Sequence, residues 1–376
     1  MTRLICAAAL LTVAVVASCP STTQASAPEV PAEMVRTLQD RIDLWARRDT
    51  HHGVSASVVL ADGAQWAGTA GESAPGVPLD AGDLIQIASI TKTMTAAVIL
   101  QLVDEGVLRL EDTVSRWLAP IANVNGAITL RQLLNHTSGV ANYTGAGLAL
   151  GQAIADDPSH VFTPHELLRF AGAASFAPGA STQYTNAAFL LLGMVAEQAT
   201  GRAITELYRQ RLFGPLGLDA ILMPGLEEPT RPVAVAYPSG SAINPMDHLS
   251  LLSIGHSAFG LLSNASTVAR WGHALISGSV ISERSQQEMR TMVAAAGNIQ
   301  GETGSGLGIR GYEYLDRKQF GHSGGATFGS SLLLFDPQPG VTVAVVMNQG
   351  AGADHFSLAP VFRGAPRVGQ VSVDSY

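Results

Sequence analysis

The chain reads as an α+β protein, on three observations. Val54, Ala56, Val58 and Leu60 alternate with smaller or polar residues as a half-buried strand does, and Gln65 to Ala70 can return as its partner. Two apolar runs near the other end, Phe328 to Phe335 and Val341 to Met347, have the length and composition of buried strands. Between them, from about residue 107 to 270, the text is mostly helical, broken by loops rich in Gly, Pro and Asn.

With 376 residues the chain can form one large domain or two fused subdomains, and 47% hydrophobic against 14% charged content favours a packed body over disorder. The formal net charge of -8 argues against nucleic acid as a partner and selects no substrate.

The N-terminus has the pattern of an export signal. Arg3 supplies the positive start and Leu4 to Ala17 the apolar run, which is shorter than the about 20 residues of a membrane span. Two processing sites compete. Val16-Ala17-Ser18-Cys19 is similar to a bacterial lipobox, in which Cys19 becomes the lipidated first residue of a membrane-anchored lipoprotein. Ala25-Ser26-Ala27 is similar to an ordinary secretory cleavage site. The lipobox is the favoured reading, although Pro20 directly after the cysteine weighs against it. Residues 1–27 are accordingly assigned to the signal, and 20–31 to a polar, proline-bearing linker. Cys6 and Cys19 are the only cysteines, so an exported mature chain would have no internal disulfide and no catalytic thiol. No Cys/His cluster suggests zinc, and no cofactor is expected.

Val35, Leu38, Ile42 and Trp45 recur at helical spacing, and Asp62-Gly63 is a hairpin signal between the first two strands. From Ser89 to about Gly106 a second helix is predicted, with Met94, Val98 and Leu102 as its apolar stripe. Ala187 to Ala199 is strongly helical. Asp336-Pro337-Gln338-Pro339-Gly340 turns between the last two strands. Pro360 falls inside any helix over Ala353 to Arg363, so residues 351–376 are expected to be a tail without a full final helix.

The chemistry centres on Ser89-Ile90-Thr91-Lys92. A serine hydroxyl is a weak nucleophile until a base takes its proton, and residues three apart share a helix face. Lys92 and Lys318 are the only lysines among 22 basic residues. One of the two thus sits where an amine able to lose its proton is useful, and arginine could not serve. By itself Ser-x-x-Lys is a weak signal, equally met on solvated helices. Two later triplets strengthen it: Tyr184-Thr185-Asn186, and His322-Ser323-Gly324 followed by Gly325.

The order Ser-x-x-Lys, Tyr-x-Asn, His-x-Gly resembles the serine β-lactamase and penicillin-binding protein family, in its branch of class C β-lactamases, D,D-carboxypeptidases and family esterases. The runs Leu102 to Pro120, Ile128 to Val140 and Phe176 to Asn186 are similar to further landmarks of that family. The resemblance implies a β-lactamase-like fold. An antiparallel sheet would be built from both chain ends (33–88 and 271–350), flanked by helices, with a mainly helical part (89–270) inserted, all within a domain spanning 33–350. It implies Ser89 as nucleophile and Lys92 and Tyr184 as the proton-handling pair, with the general base left open between them. The N–H groups of Ser89 and Gly325 would form the oxyanion hole. Asn186 would contact a substrate carbonyl or the Lys92 ammonium. His322, where class C β-lactamases more often carry lysine, would pass protons or support the site. Ser323 would meet a substrate carboxylate or water, and Gly324 would let substrate lie against the backbone. Arg310 is a candidate clamp for a peptide's terminal carboxylate, and His136 is read as structural.

The expected function is an exported serine acyl hydrolase acting through an acyl-enzyme on a small-molecule or peptide substrate with an acyl group. D-alanyl-D-alanine carboxypeptidase is favoured, ahead of esterase or amide hydrolase and then β-lactamase. A non-catalytic penicillin- or cell-wall-binding module is the alternative from a different class.

Overall fold

The computed structural model describes residues 28–48, 53–238, 240–296, 299, 301–314 and 317–350. The signal-like segment with Cys6 and Cys19, and the C-terminal residues 351–376, lie outside the described residues.

The core of the fold is a seven-stranded antiparallel sheet. Its strands are β1 (Val54–Val59), β2 (Gln65–Ala70), β3 (Glu302–Ser305), β4 (Arg310–Tyr314), β5 (Arg317–Gly325), β6 (Ser330–Asp336) and β7 (Val341–Met347), in the order β2-β1-β7-β6-β5-β4-β3. The seam between the two chain ends is the β1–β7 pair, in register from Val54↔Met347 to Val59↔Thr342. Both hairpins foreseen in the sequence form, with Gly63 in the left-handed region (φ 87°) at the first turn.

Strand side chains point alternately to the two faces, and both faces of this sheet are covered. Helix α1 (Ala32–Arg48) lays Met34, Leu38 and Ile42 on one face, against Leu332, Leu334, Val343 and Val345. The intervening residues Leu333, Phe335, Ala344 and Val346 belong to the larger core on the other face. Double coverage explains why β6 and β7 read as continuous apolar runs.

That larger core is organised by three more helices: α2 (Thr91–Asp104), α3 (Ala187–Thr200) and α4 (Ala265–Ile276). A 3₁₀ turn over Ala88–Ile90 leads into α2. The expected single apolar stripe on α2 is not what its packing requires. Residues 91–100 are all buried, and a helix covered on every side needs no polar face. Between α2 and α3 the inserted region is a chain of short helices and loops. A small three-stranded ladder of Ile85–Gln86, Leu262–Ser263 and Ile221–Leu222 joins the segment before α2 to two segments of the region between α3 and α4.

Candidate active site

The turn that carries Ser89 is set by its neighbours. Ala88 has φ 48°, a region that non-glycine residues enter only when the surroundings compel them. Here Ile87 N–H donates to Leu261 O, and Ile87 O accepts from Ser331 Oγ on β6 at 2.6 Å. The turn is thereby pinned between the sheet and the segment before α4. Ser89 itself is buried at the start of α2, and its Oγ faces a cavity of about 470 Å³.

Lys92, one turn on, is fully buried. Its Nζ lies 3.2 Å from Ser89 Oγ, 2.7 Å from Asn186 Oδ1 and 2.9 Å from Ala258 O. No carboxylate is among these contacts. Burial, reinforced by the positive charge of Arg310, holds the amine well below the ordinary lysine value. A neutral amine has two N–H donors and one lone pair. Asn186 Oδ1 and Ala258 O match those donors, and the Ser89 hydroxyl oxygen is the third contact of the nitrogen.

Tyr184 approaches from the loop before α3, as the sequence placed it, and its hydroxyl donates to Ser89 Oγ at 2.7 Å. Burial pushes its phenol up, and the Arg310 guanidinium works against that rise. His136 holds this loop on both sides of the tyrosine. Its carbonyl accepts from Gln183 N–H at 3.0 Å and its Nδ1 from Thr185 N–H at 3.3 Å, while its ring lies 4.5 Å from that of Tyr184. His136 adopts φ 64° to do so, and burial keeps its imidazole well below the usual histidine value.

The cavity wall includes Ser89, Tyr184, Asn186 and Gly325 among the residues singled out from the sequence. His322, Ser323, Gly324 and Arg310 stand behind it. The His-Ser-Gly triplet lies at the end of β5, and β6 follows it after a short turn, pairing back on it from Gly325↔Ser330. His322 is buried with its ring 6.1 Å from that of Tyr184, and its Nδ1 lies 2.6 Å from Ser323 O. Burial, with the charge of Arg310, keeps it well below the usual histidine value. Ser323 Oγ accepts from Tyr312 OH at 3.4 Å. A Cβ on Gly324 would lie 2.7 Å from Ile87 O and 3.0 Å from Ala88 Cβ. Its missing side chain therefore lets β5 close on the nucleophile turn. Arg310 is 5% exposed and pairs at 2.5 Å with Glu302, whose side chain is 1% exposed.

The sequence reading missed the segment Gly255 to Gly260. It supplies the Ala258 carbonyl to Lys92 and Phe259 to the cavity wall. Its two glycines close a tight turn, since a Cβ on Gly260 would lie 2.6 Å from His256 N. A carbonyl has no side-chain signature; the flanking glycine pair was the available signal. Thr144, Ile254 and Thr327 also line the cavity. Among the described residues, no group of three or more His, Cys, Asp or Glu could hold a metal ion, and no helix is long and apolar enough to cross a membrane.

The chain is similar to several known proteins. The chain is 29% identical to "Penicillin-binding protein 4" of Amycolatopsis lactamdurans, over 85% of this chain and 86% of that protein. It is also 29% identical to the D-alanyl-D-alanine-carboxypeptidase/endopeptidase AmpH of Escherichia coli (strain K12), over 59% of this chain and 57% of that one. Its fold superposes on a D-stereospecific amidohydrolase from Streptomyces sp. with a TM-score of 0.77 and 30% identity, covering 88% of this chain and 99% of the other. The Beta-lactamase family model matches residues 34–363, and the chain belongs to that family of serine hydrolases.

Proposed function

We propose that the protein hydrolyses an uncharged acyl donor, a small ester or amide, through an acyl-enzyme on Ser89. Lys92, as a free amine, takes the Ser89 proton while Oγ attacks the acyl carbon. The resulting oxyanion sits against the N–H groups of Ser89 and Gly325. The Tyr184 phenol, already bonded to Oγ, is placed to give its proton to the departing group, and Lys92 returns a proton to the phenolate. Water then repeats the sequence on the acyl-enzyme. The Ser89 Oγ flanked by Lys92 at 3.2 Å and Tyr184 at 2.7 Å carries this reading.

The substrate class follows from Arg310 and the cavity wall. A carboxypeptidase needs a cation for the terminal carboxylate of its substrate, and Arg310 already has a carboxylate of its own in Glu302. The described residues that line the cavity carry no Asp, Glu, Lys or Arg; Leu251, Ile254, Phe259 and Ala326 make much of its wall. Relatives named for D-alanyl-D-alanine peptides support the carboxypeptidase alternative, and one experiment separates the two. The expected outcome is a kcat/KM at least about tenfold higher for a neutral acyl ester than for an acyl-D-Ala-D-Ala free acid, a difference of about 1.4 kcal/mol. A preference for the free acid would restore the carboxypeptidase reading.

Export is part of the same proposal, supported by the Arg3 and Leu4 to Ala17 pattern, with Cys19 as the lipidated residue. Protein expressed in a bacterial host should carry a diacylglyceryl mass on an N-terminal Cys19 and partition into detergent. A mature chain beginning at Pro28 in the aqueous phase would remove the anchor.

A further inference from the structure

Arg310 and Glu302 form an ion pair that the proposed reaction does not use. Arg310 lies on β4, Glu302 on the neighbouring β3, and both side chains are almost wholly inside the protein. A buried pair of charges loses hydration that its mutual attraction repays only with good geometry, so apolar residues would serve stability as well. The Arg310 Nε–H has no acceptor, which adds to the burden. What the pair gains is position. The guanidinium carbon lies 4.6 Å from the centre of the Tyr184 ring, close to the 4.7 Å of Lys92 Nζ. Arginine is suited to such a contact, because its flat, weakly hydrated cation stacks on aromatic faces and never loses its proton.

We propose that the Glu302–Arg310 pair is a positioning device for the Ser89 machinery: Glu302 fixes the guanidinium, and the guanidinium, stacked over the ring, fixes Tyr184. The inference rests on the acyl-enzyme reading above. The groups facing Tyr184 are Lys92 from α2, His136 from the loop after the short helix Leu130–Leu134, His322 from β5 and Arg310 from β4. Glu302 stands behind the last of these, and the phenols of Tyr143 and Tyr312 lie within electrostatic reach of Tyr184 and Arg310 respectively. Both imidazoles are held well below their ordinary range by burial, so they are neutral near pH 7. Arg310 is therefore the permanent cation of the cluster. Its charge disfavours an ammonium at Lys92 and favours ionisation at Tyr184, so it helps the base to be free and the acid to donate. Glu302 acts on Tyr184 in the opposite sense, from behind the guanidinium, and ranks below it.

The test is a pH profile. Removing Arg310 alone leaves a buried carboxylate without a partner and can unfold the protein, so the main variant is Glu302→Gln/Arg310→Met, which removes both charges. Arg310→Lys is the conservative companion. Turnover of a neutral ester is followed from pH 5 to 10, with Ser89 acylation by a fluorophosphonate probe and thermal melting alongside. The rising limb of kcat/KM reports the free amine of Lys92. Loss of the guanidinium raises the proton affinity of that amine, so in the double variant the limb should move to higher pH by about one unit. kcat should fall about 10- to 100-fold with little change in KM, and Arg310→Lys should keep the limb near its original position. A folded double variant with an unmoved limb and an unchanged acylation rate overturns the positioning role. A loss confined to KM, and only for a free-acid peptide, makes Arg310 a substrate clamp instead. If the parent protein itself fails to acylate at Ser89, the acyl-enzyme reading falls first.

Discussion

Ser89→Ala is expected to abolish the covalent intermediate and lower turnover at least about 10⁴-fold. The nearest other groups, the Tyr184 hydroxyl at 2.7 Å and the Lys92 amine at 3.2 Å, are the proposed proton-handling pair and not nucleophiles. Removing Oγ deletes one hydrogen bond to Tyr184 and one contact of Lys92, in a side chain one atom smaller. The change in stability should stay within about 1 kcal/mol. Intact-mass spectrometry after exposure to an acylating probe reads the result directly. One adduct on the parent and none on Ser89→Ala is the expected pair, and an adduct on the variant would remove Ser89 as nucleophile.

Lys92→Met separates catalysis from stability. Methionine fills a similar volume but has no lone pair for the serine proton, so kcat/KM should fall about 10²- to 10⁴-fold, the usual share of a general base. Lys92→Arg should be as inactive, because the guanidinium remains protonated. Stability should move the other way. Lys92 in the folded protein has its pKa depressed below the ordinary 10.5 that it regains on unfolding. Between these two values the unfolded state binds the extra proton, so the parent loses stability as pH falls through that window and regains it as pH rises toward 10.5. Lys92→Met removes this penalty. It should melt higher than the parent at pH 7 and converge with it above pH 10, in thermal scans across pH. An equal or lower melting temperature for the folded variant at pH 7 would mean that the buried amine carries a proton and a compensating partner.

How much of this the sequence revealed depends on how local each feature is. Ser89 and Lys92 are three residues apart, so helix geometry alone joins them. Tyr184 and Asn186 are joined to them by folding, and only the order of the motifs exposed the link. β1, β2, β6 and β7 announce themselves through alternation or unbroken apolar runs. β3, β4 and β5 do not: Glu302-Thr303-Gly304-Ser305 and Arg317-Lys318-Gln319 are polar, and Gly321, Gly324 and Gly325 break up the rest of β5. The same gap hid the site's electrostatics. Glu302 and Arg310 become neighbours because β3 and β4 pair, with Ser305 opposite Arg310 and, past an irregularity in the ladder, Glu302 opposite Tyr312. Without those strands only the family resemblance set Arg310 apart from a surface arginine, and it offered a carboxylate clamp, not an ion pair with Glu302. His136 was legible only as part of the family-like run Ile128 to Val140, and its grip on the backbone either side of Tyr184 is a contact between distant segments.

The seam at the middle of the sheet also governs how the molecule is made. Gly53 N–H donates to Asn348 Oδ1 at 2.6 Å across 295 positions, and β1 has its second neighbour only when β7 is present. A chain that emerges N-terminus first therefore presents α1 and its hairpin long before the strand that completes them exists. Such high contact order slows folding, since the entropy of closing a long loop must be met before the pairing rewards it. During that interval the bare edge of β1 is open to pairing with other chains. Assembly of Ser89 with the sheet follows the same clock: the Ile87–Ser331 contact that pins its turn comes from the late strands, so the nucleophile is in place only after the last hairpin has docked.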